Sequence, residues 1–444
     1  MAVSAIDNRY CGPMNRVFDE ENRLQKWLDV EAALAYAHGK LGNIPKKDAD
    51  EIQKKADTRF VKLARVKEIE GEIDHDLMAM VRALSEACKG GAGGYVHYGA
   101  TSYDIEDTAL ALVMRDANAL IRKRLSVLRK ILLGLAKGHK RTVCIGRTHG
   151  QHAVPMTYGL KFALWAAEVA RNEERLGEAE ARVYVGKMSG AVGTMATFGE
   201  KAFEVQRLVM ERLKIAPALV SNQVIQRDRH AEMLAVLALI ACSLEKIANE
   251  IRNLQRTELM EVAEPFGKKQ VGSSTMPHKR NPHKSERISS LARVVRADLA
   301  VALENIALQH ERDLTNSANE RLIIPEAYIL LDYMLSQASL VLSGLEFFPE
   351  NIKRNLEMNS GLVMAERLMV SLTEKGMGRQ EAHEFLRGAS RRAVANKRHL
   401  KAELLSDPKI SQYFTLKEID GLFDESSYIG KAVEIVERAE RELA

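Results

Sequence analysis

The chain of 444 residues is longer than a single core comfortably supports, so two or three domains are expected. Lys and Arg number 65 against 60 Asp and Glu, and aromatics make up 5%. The net charge of +5 is spread along the chain without a basic, aromatic-interleaved run, which excludes an ordinary nucleic-acid surface and suits a small anionic substrate. Cys11, Cys88, Cys144 and Cys242 form no CxxC pair and no apolar run approaches the ~20 residues of a membrane span, so no disulfide framework, zinc site or membrane contact is expected, and the expected compartment is a reducing cytoplasm.

With only 10 prolines and abundant Ala, Leu, Glu, Lys and Arg, the pattern is helical nearly everywhere. Residues 7–14 read as an extended arm that exposes Arg9 and Tyr10. Helices follow at about 19–41, 46–56 and 61–70, and another runs from the His75-Asp76 stretch to Cys88. The glycines at 90–94 break that helix; no Gly-Lys-Ser/Thr follows, so they read as a connector rather than a P-loop. Thr101 and Ser102, followed by Asp104, Glu106 and Asp107, make a strong helix start. From Leu110 through Ile121 and Leu128 to Leu135 the apolar spacing holds a 3.6-residue period to about residue 140.

Similar long patterns span about 156–184, 228–264, 285–310 and 325–344, which implies a bundle of five long helices. Several are apolar over more than one stripe, as in Met233 to Ile240, and such a helix is buried on most sides. Beyond Phe348-Pro349 the helices shorten. The expected division is therefore a helical domain over 1–104, a central long-helix bundle over 105–347, and a smaller helical domain over 348–444.

The chemistry sits in the loops. The longest, 265–282, carries Lys268, two serines, Lys279 and Asn281, and exceeds the two to eight residues or so of a usual bundle connector. Another, Gly146-Arg-Thr-His149-Gly-Gln-His152-Ala-Val-Pro155, presents a histidine that could act as an acid or base, although such a histidine taken alone is more often a capping or surface residue. No HExxH or cysteine partner accompanies His149 and His152, so no metal is expected. The stretches 221–230 and 311–321 add amides, hydroxyls and arginines, which suit carboxylates and phosphate but individually describe solvated turns as well.

Together these loops resemble one family. Gly272-Ser-Ser-Thr-Met-Pro-His-Lys-Arg-Asn281 resembles the signature Gly-Ser-Ser-x-x-Pro-x-Lys-x-Asn of the fumarase/aspartase superfamily at every fixed position. The segments Arg147 to Pro155, His97 to Asp104, Gln223 to His230 and the Arg9-Tyr10 arm resemble its purine-nucleotide branch in particular. The resemblance covers essentially the whole chain. It implies an all-α, three-domain subunit, a homotetramer around a twenty-helix core, and active sites shared between subunits.

It also implies cofactor-free β-elimination of fumarate from a succinylated purine nucleotide. Ser273 would be the base, His149 the acid, Glu286 the carboxylate that pairs with His149, and Lys279 a source of positive potential for the serine. Arg9, Tyr10, His75, His97, Thr101, Ser102, Gln223, Lys268, Asn281, Arg312, Ser317 and Arg321 would hold the succinyl carboxylates, the phosphate and the nucleotide. His75 could also serve as an acid by position. The alternatives are a sister lyase releasing fumarate from argininosuccinate, malate or aspartate, and a non-enzymatic scaffold of the same fold.

Overall fold

The computed structural model describes residues 4–267 and 269–444; Lys268 lies outside the described residues. The described chain is all-helical apart from a hairpin and two pairs of two-residue strands. It divides into two compact units, one comprising residues up to Ser126, Arg171–Glu245 and Ile288–Ser336, the other Val127–Ala170, Lys246–Arg287 and Gln337–Ala444.

In the first unit the helix Glu20–Leu41 starts where Asp19 accepts the N–H of Asn22, and stops at Gly42, whose φ of 74° is cheap only for glycine. Its apolar face, with Trp27, Leu28 and Leu34, packs into one core with the helices Lys46–Lys55, Leu63–Ile73, Asp76–Ala87 and Ala202–Leu213. Each such side chain contributes roughly 1.5–3 kcal/mol on burial. The N-terminal arm is not extended as expected: it forms the short helices Ala5–Asn8 and Met14–Val17. Asn15 explains much of this, because its side chain donates to the Ile6 carbonyl and accepts from Gly12 N–H at 2.8 Å each. Arg9 stays exposed, and Tyr10 rests against Tyr333 with ring centres 5.4 Å apart.

The five long helices are Ser102–Gly138, Tyr158–Val183, Asp228–Leu254, His283–Glu304 and Ser317–Ser343. They are the five long helices expected from the sequence, with three boundaries moved: the fourth ends six residues early, at Glu304. The third ends ten residues early because Gln255 turns its side chain to Glu264 N–H and the Arg280 carbonyl, and the apolar Val262-Ala263 pairs with Glu346-Phe347 instead of continuing a helix. The fifth begins eight residues early, and Pro325 lies inside it. Proline cannot donate to the carbonyl four residues back, which is that of Arg321.

In the second unit, helices Ala365–Glu374, Arg379–Ala395, Leu400–Leu405 and Leu416–Leu422 close a separate core around Leu368, Leu372, Leu386 and Leu404. Residues 142–157, expected as a loop, form an antiparallel hairpin of Val143–Thr148 and Gln151–Thr157. Val143, Ile145, Thr148, Val154 and Thr157 suit strands, but Gly146, Gly150 and Pro155 interrupt any alternation, so only the pairing of the two strands makes it regular.

Candidate functional site

The first unit contains a cleft of about 440 Å³. Its walls include His75, Thr101, Ser102, Gln223, Arg312, Ser317 and Arg321, all singled out from the sequence and drawn from four separate stretches. Two helix starts supply most of them. Ser102 opens one long helix, and Ser317 and Arg321, four residues apart, share a face of another. His75 caps the helix Asp76–Ala87 from a half-exposed position.

Arg312 is the best-placed cation. Its guanidinium lies 3.7 Å from the centre of the Tyr103 ring, and Nη1 donates to Gln223 Oε1 at 3.2 Å. Nε and Nη2 are buried yet have no hydrogen-bond partner among the described residues. A buried guanidinium with spare N–H groups is a site for a planar or tetrahedral oxyanion. Tyr103 donates to Ser317 Oγ at 3.3 Å, and burial pushes its phenol up to about 12. Arg321 holds Asp76 at 2.6 Å. Burial opposes ionisation of Asp76, but the hydrogen bond and charge of Arg321 outweigh it and hold that carboxyl below its ordinary value. Glu106 behaves oppositely: burial, then the charge of Asp76, pushes it up to about 8.

The acids after Ser102 do more than complement a helix dipole. Asp104 is fully buried against Lys187 at 2.5 Å and accepts N–H groups of Thr101, Ser189 and Gly190. Asp107 and Glu320 clasp the buried Arg227 with bonds of 2.9 Å, while Asp107 also takes Ile225 N–H at 2.7 Å. Thus the 221–230 segment is pinned by buried charge, and Gln223 is presented from a fixed loop. His97 lies behind the cleft rather than on it. At φ 63° it gives its ring and backbone N–H to the buried Glu31, at 2.7 and 3.0 Å.

In the second unit His149 and Gly150, at φ 53° and 73°, are the two residues of the hairpin turn between the paired Thr148 and Gln151. Positive φ at both positions is the turn geometry that matches strand twist, and it leaves His149 exposed at the tip. The hairpin is anchored by the buried Glu261, which accepts from Arg147 next to the turn and from Tyr158 just past the base, both at 2.5 Å, and from Asn355 at 2.9 Å. Burial together with the Glu261 charge pushes the Tyr158 phenol far up.

The signature loop has no helix or strand among its described residues, yet it has internal order. Asn281 donates to the Gly272 carbonyl at 2.9 Å, and a Cβ on Gly272 would stand 2.1 Å from the Lys279 carbonyl, so only glycine fits there. Ser273 is half-buried and its Oγ accepts N–H groups of Met276 and Thr275 at 3.0 and 3.3 Å. Ser274 through Lys279 are exposed. Glu264 caps the following helix by accepting Ser285 and Lys284 N–H at 2.6 and 3.2 Å. Glu286 is exposed on the first turn of that helix, and no ion pair joins it to His149 within the chain.

Sequence reasoning missed Tyr103, Glu106, Asp76 and Glu31. The first three had a signal, as Ser102 and Glu106 are one helical turn apart and Asp76 adjoins His75. Glu31 had none, lying in the middle of a long amphipathic helix.

A family model described as lyase matches residues 10–297. The chain belongs to that family, lyases of the fumarase/aspartase type. A solved fumarate lyase from Mesorhizobium is 34% identical with a TM-score of 0.89, covering 96% of this chain and 97% of that one. A 3-carboxy-cis,cis-muconate lactonizing enzyme from Pseudomonas putida is 35% identical with a TM-score of 0.90, covering 99% and 98%. Within the family this chain stands with the adenylosuccinate lyases: a model described as adenylosuccinate lyase C-terminus matches residues 361–439, and the Pyrococcus abyssi adenylosuccinate lyase is 59% identical over 98% of this chain and 97% of its own. Among the described residues no helix is long and apolar enough to cross a membrane.

Proposed function

We propose that the chain releases fumarate from adenylosuccinate, leaving AMP, and from the succinyl-aminoimidazole-carboxamide ribotide, by a β-elimination that needs no cofactor. The observation that carries this reading is the convergence of four sequence stretches on one cleft around the spare N–H groups of Arg312. Thr101, Ser102, Gln223, Arg312, Ser317 and Arg321 hold the anionic groups there, with His75 beside them, and Arg9, Tyr10, His97, Lys268 and Asn281 complete or brace the site.

Ser273 removes the proton from the succinyl carbon. With water's ~15.7 standing in for an alcohol, ionising it at pH 7 costs roughly 12 kcal/mol. The N–H groups of Thr275 and Met276 already aimed at its Oγ favour the alkoxide, and Lys279 and exclusion of water add to that field. The same field stabilises the aci-carboxylate as charge builds. His149 protonates the leaving nitrogen, and Glu286 favours its imidazolium form across a subunit boundary.

The homotetramer this requires is supported by Leu164, Leu239, Leu303 and Leu340, which expose 49–59% of their surface on the long helices. The N-terminal domain over 1–104 and the bundle over 105–347 then share the chemistry, with 348–444 completing the fold. The assay is fumarate release from the two succinyl nucleotides, alongside argininosuccinate, malate and aspartate. Release from either nucleotide and none of the others is expected; no release from either nucleotide overturns the reading. Mixing inactive His149→Gln and Ser273→Ala subunits restores part of the activity if sites are shared, and no recovery after verified exchange counts against sharing.

A further inference from the structure

We infer that Glu106 binds the anionic end of the nucleotide as an uncharged hydrogen-bond donor, so that the cleft takes its ligand well only while this carboxyl carries its proton. The inference rests on the cleft being the nucleotide site proposed above. Glu106 forms part of the wall shared by the cleft and a second cavity lined by Phe18, Trp27, Leu110, Val113 and Ile324, and its side chain is 15% exposed. Arg321 stands between two carboxyls but is committed to one. Its Nη1 holds Asp76 at 2.6 Å, leaving Nη2 at 3.7 Å from Glu106 Oε2, beyond hydrogen-bond reach.

No hydrogen bond joins the Glu106 carboxyl to a cation among the described residues. From the helix Asp76–Ala87 comes the ionised Asp76, with Glu70, Asp74 and His75 further along the wall. The helix Glu20–Leu41 offers Arg23, and the helix Ser317–Ser343 offers Glu320 with Arg321. Arg227 is taken by Asp107 and Glu320, and Arg312, 3.7 Å from the centre of the Tyr103 ring, donates to Gln223 and keeps its spare N–H groups for the ligand. Burial and Asp76 therefore favour the neutral acid, which titrates near pH 8. Two carboxyls in one site with opposite protonation divide the work: Asp76 orients Arg321, and Glu106 can donate to a phosphate oxygen. Once ionised, Glu106 meets a dianion with like charge.

The test is AMP binding by calorimetry to the full-length protein between pH 7 and 9.5, for wild type and Glu106→Gln. The phosphate of AMP has already lost its second proton, whose pKa is about 6. Wild-type affinity should be about tenfold weaker at pH 9 than at pH 7, following the protonated fraction. Binding at pH 9, repeated in buffers of different ionisation heat, should take up close to one proton. Glu106→Gln keeps a donor without a titratable charge, and its affinity should stay level. Parallel pH profiles for the two proteins, or no proton uptake at pH 9, overturn the role of Glu106 while leaving the nucleotide site intact. No AMP binding by wild type at pH 7 overturns the nucleotide site and this inference with it. Should Glu106→Gln fail to fold, wild-type proton uptake alone decides.

Discussion

The cleft of the first unit and the loops of the second solve opposite problems. Around the cleft, side chains are fixed before any ligand arrives: Arg227 between Asp107 and Glu320, Lys187 on Asp104, His97 on Glu31. In the hairpin and signature loop the backbone is held by hydrogen bonds while the side chains proposed for the chemistry stand in the open, with His149 at a turn tip and Lys279 and Glu286 exposed. Recognition rewards pre-ordered donors, because ordering them on binding costs affinity. On the proposed mechanism a serine base gains from the reverse arrangement, in which its field is completed only when bound substrate excludes water.

The sharpest break of this comparison is Ser273→Ala. Turnover should fall about 10²–10⁴-fold with AMP affinity unchanged. An equal loss of AMP affinity would erase the division between the two regions, and retained turnover would move the base to Ser274. Next is Arg227→Met, which strands Asp107 and Glu320 without their cation and should cost roughly 3–5 kcal/mol in chemical denaturation. Gly272→Ala comes third. Its Cβ meets the Lys279 carbonyl, so kcat should drop about 10–100-fold while Tm holds; an unchanged kcat would show that the loop shape does not aim Ser273.

The smallest effect belongs to His97. Burial lowers its pKa, but the charge and hydrogen bond of Glu31 more than reverse this and hold the ring above its ordinary value. A raised folded value means the pair stabilises fully below the unfolded value, about 6.5, and loses that contribution as pH rises through the folded value. His97→Gln should flatten the fall of Tm across that window. An unaltered slope would place the stabilisation elsewhere.

Much of this was legible in the sequence because it depends on local pattern. The 3.6-residue period from Leu110 to Leu135 gave a helix, and Thr101-Ser102 gave its start. The signature stretch announced itself by its length and contents, and seven of the proposed binding residues do line one cleft. What escaped depends on partners far along the chain. The acidity of Asp104, Glu106 and Asp107 looked alike in sequence, yet one pairs with Lys187, one is left without a committed cation, and one clasps Arg227. The hairpin was hidden because its order comes from pairing and from Glu261, more than a hundred residues away. Gln255 likewise ends a helix by reaching Arg280, which no periodicity reports.

The hydrogen bond from Asn281 to the Gly272 carbonyl turns the signature stretch into a closed ring. The ring holds the backbone of the residues inside it in advance, so ordering them on binding does not cost the ~1–2 kcal/mol of backbone entropy per residue that an open loop would lose. It also separates two kinds of sequence change: the two ends set whether the ring holds together, and the residues between them set which side chains it presents.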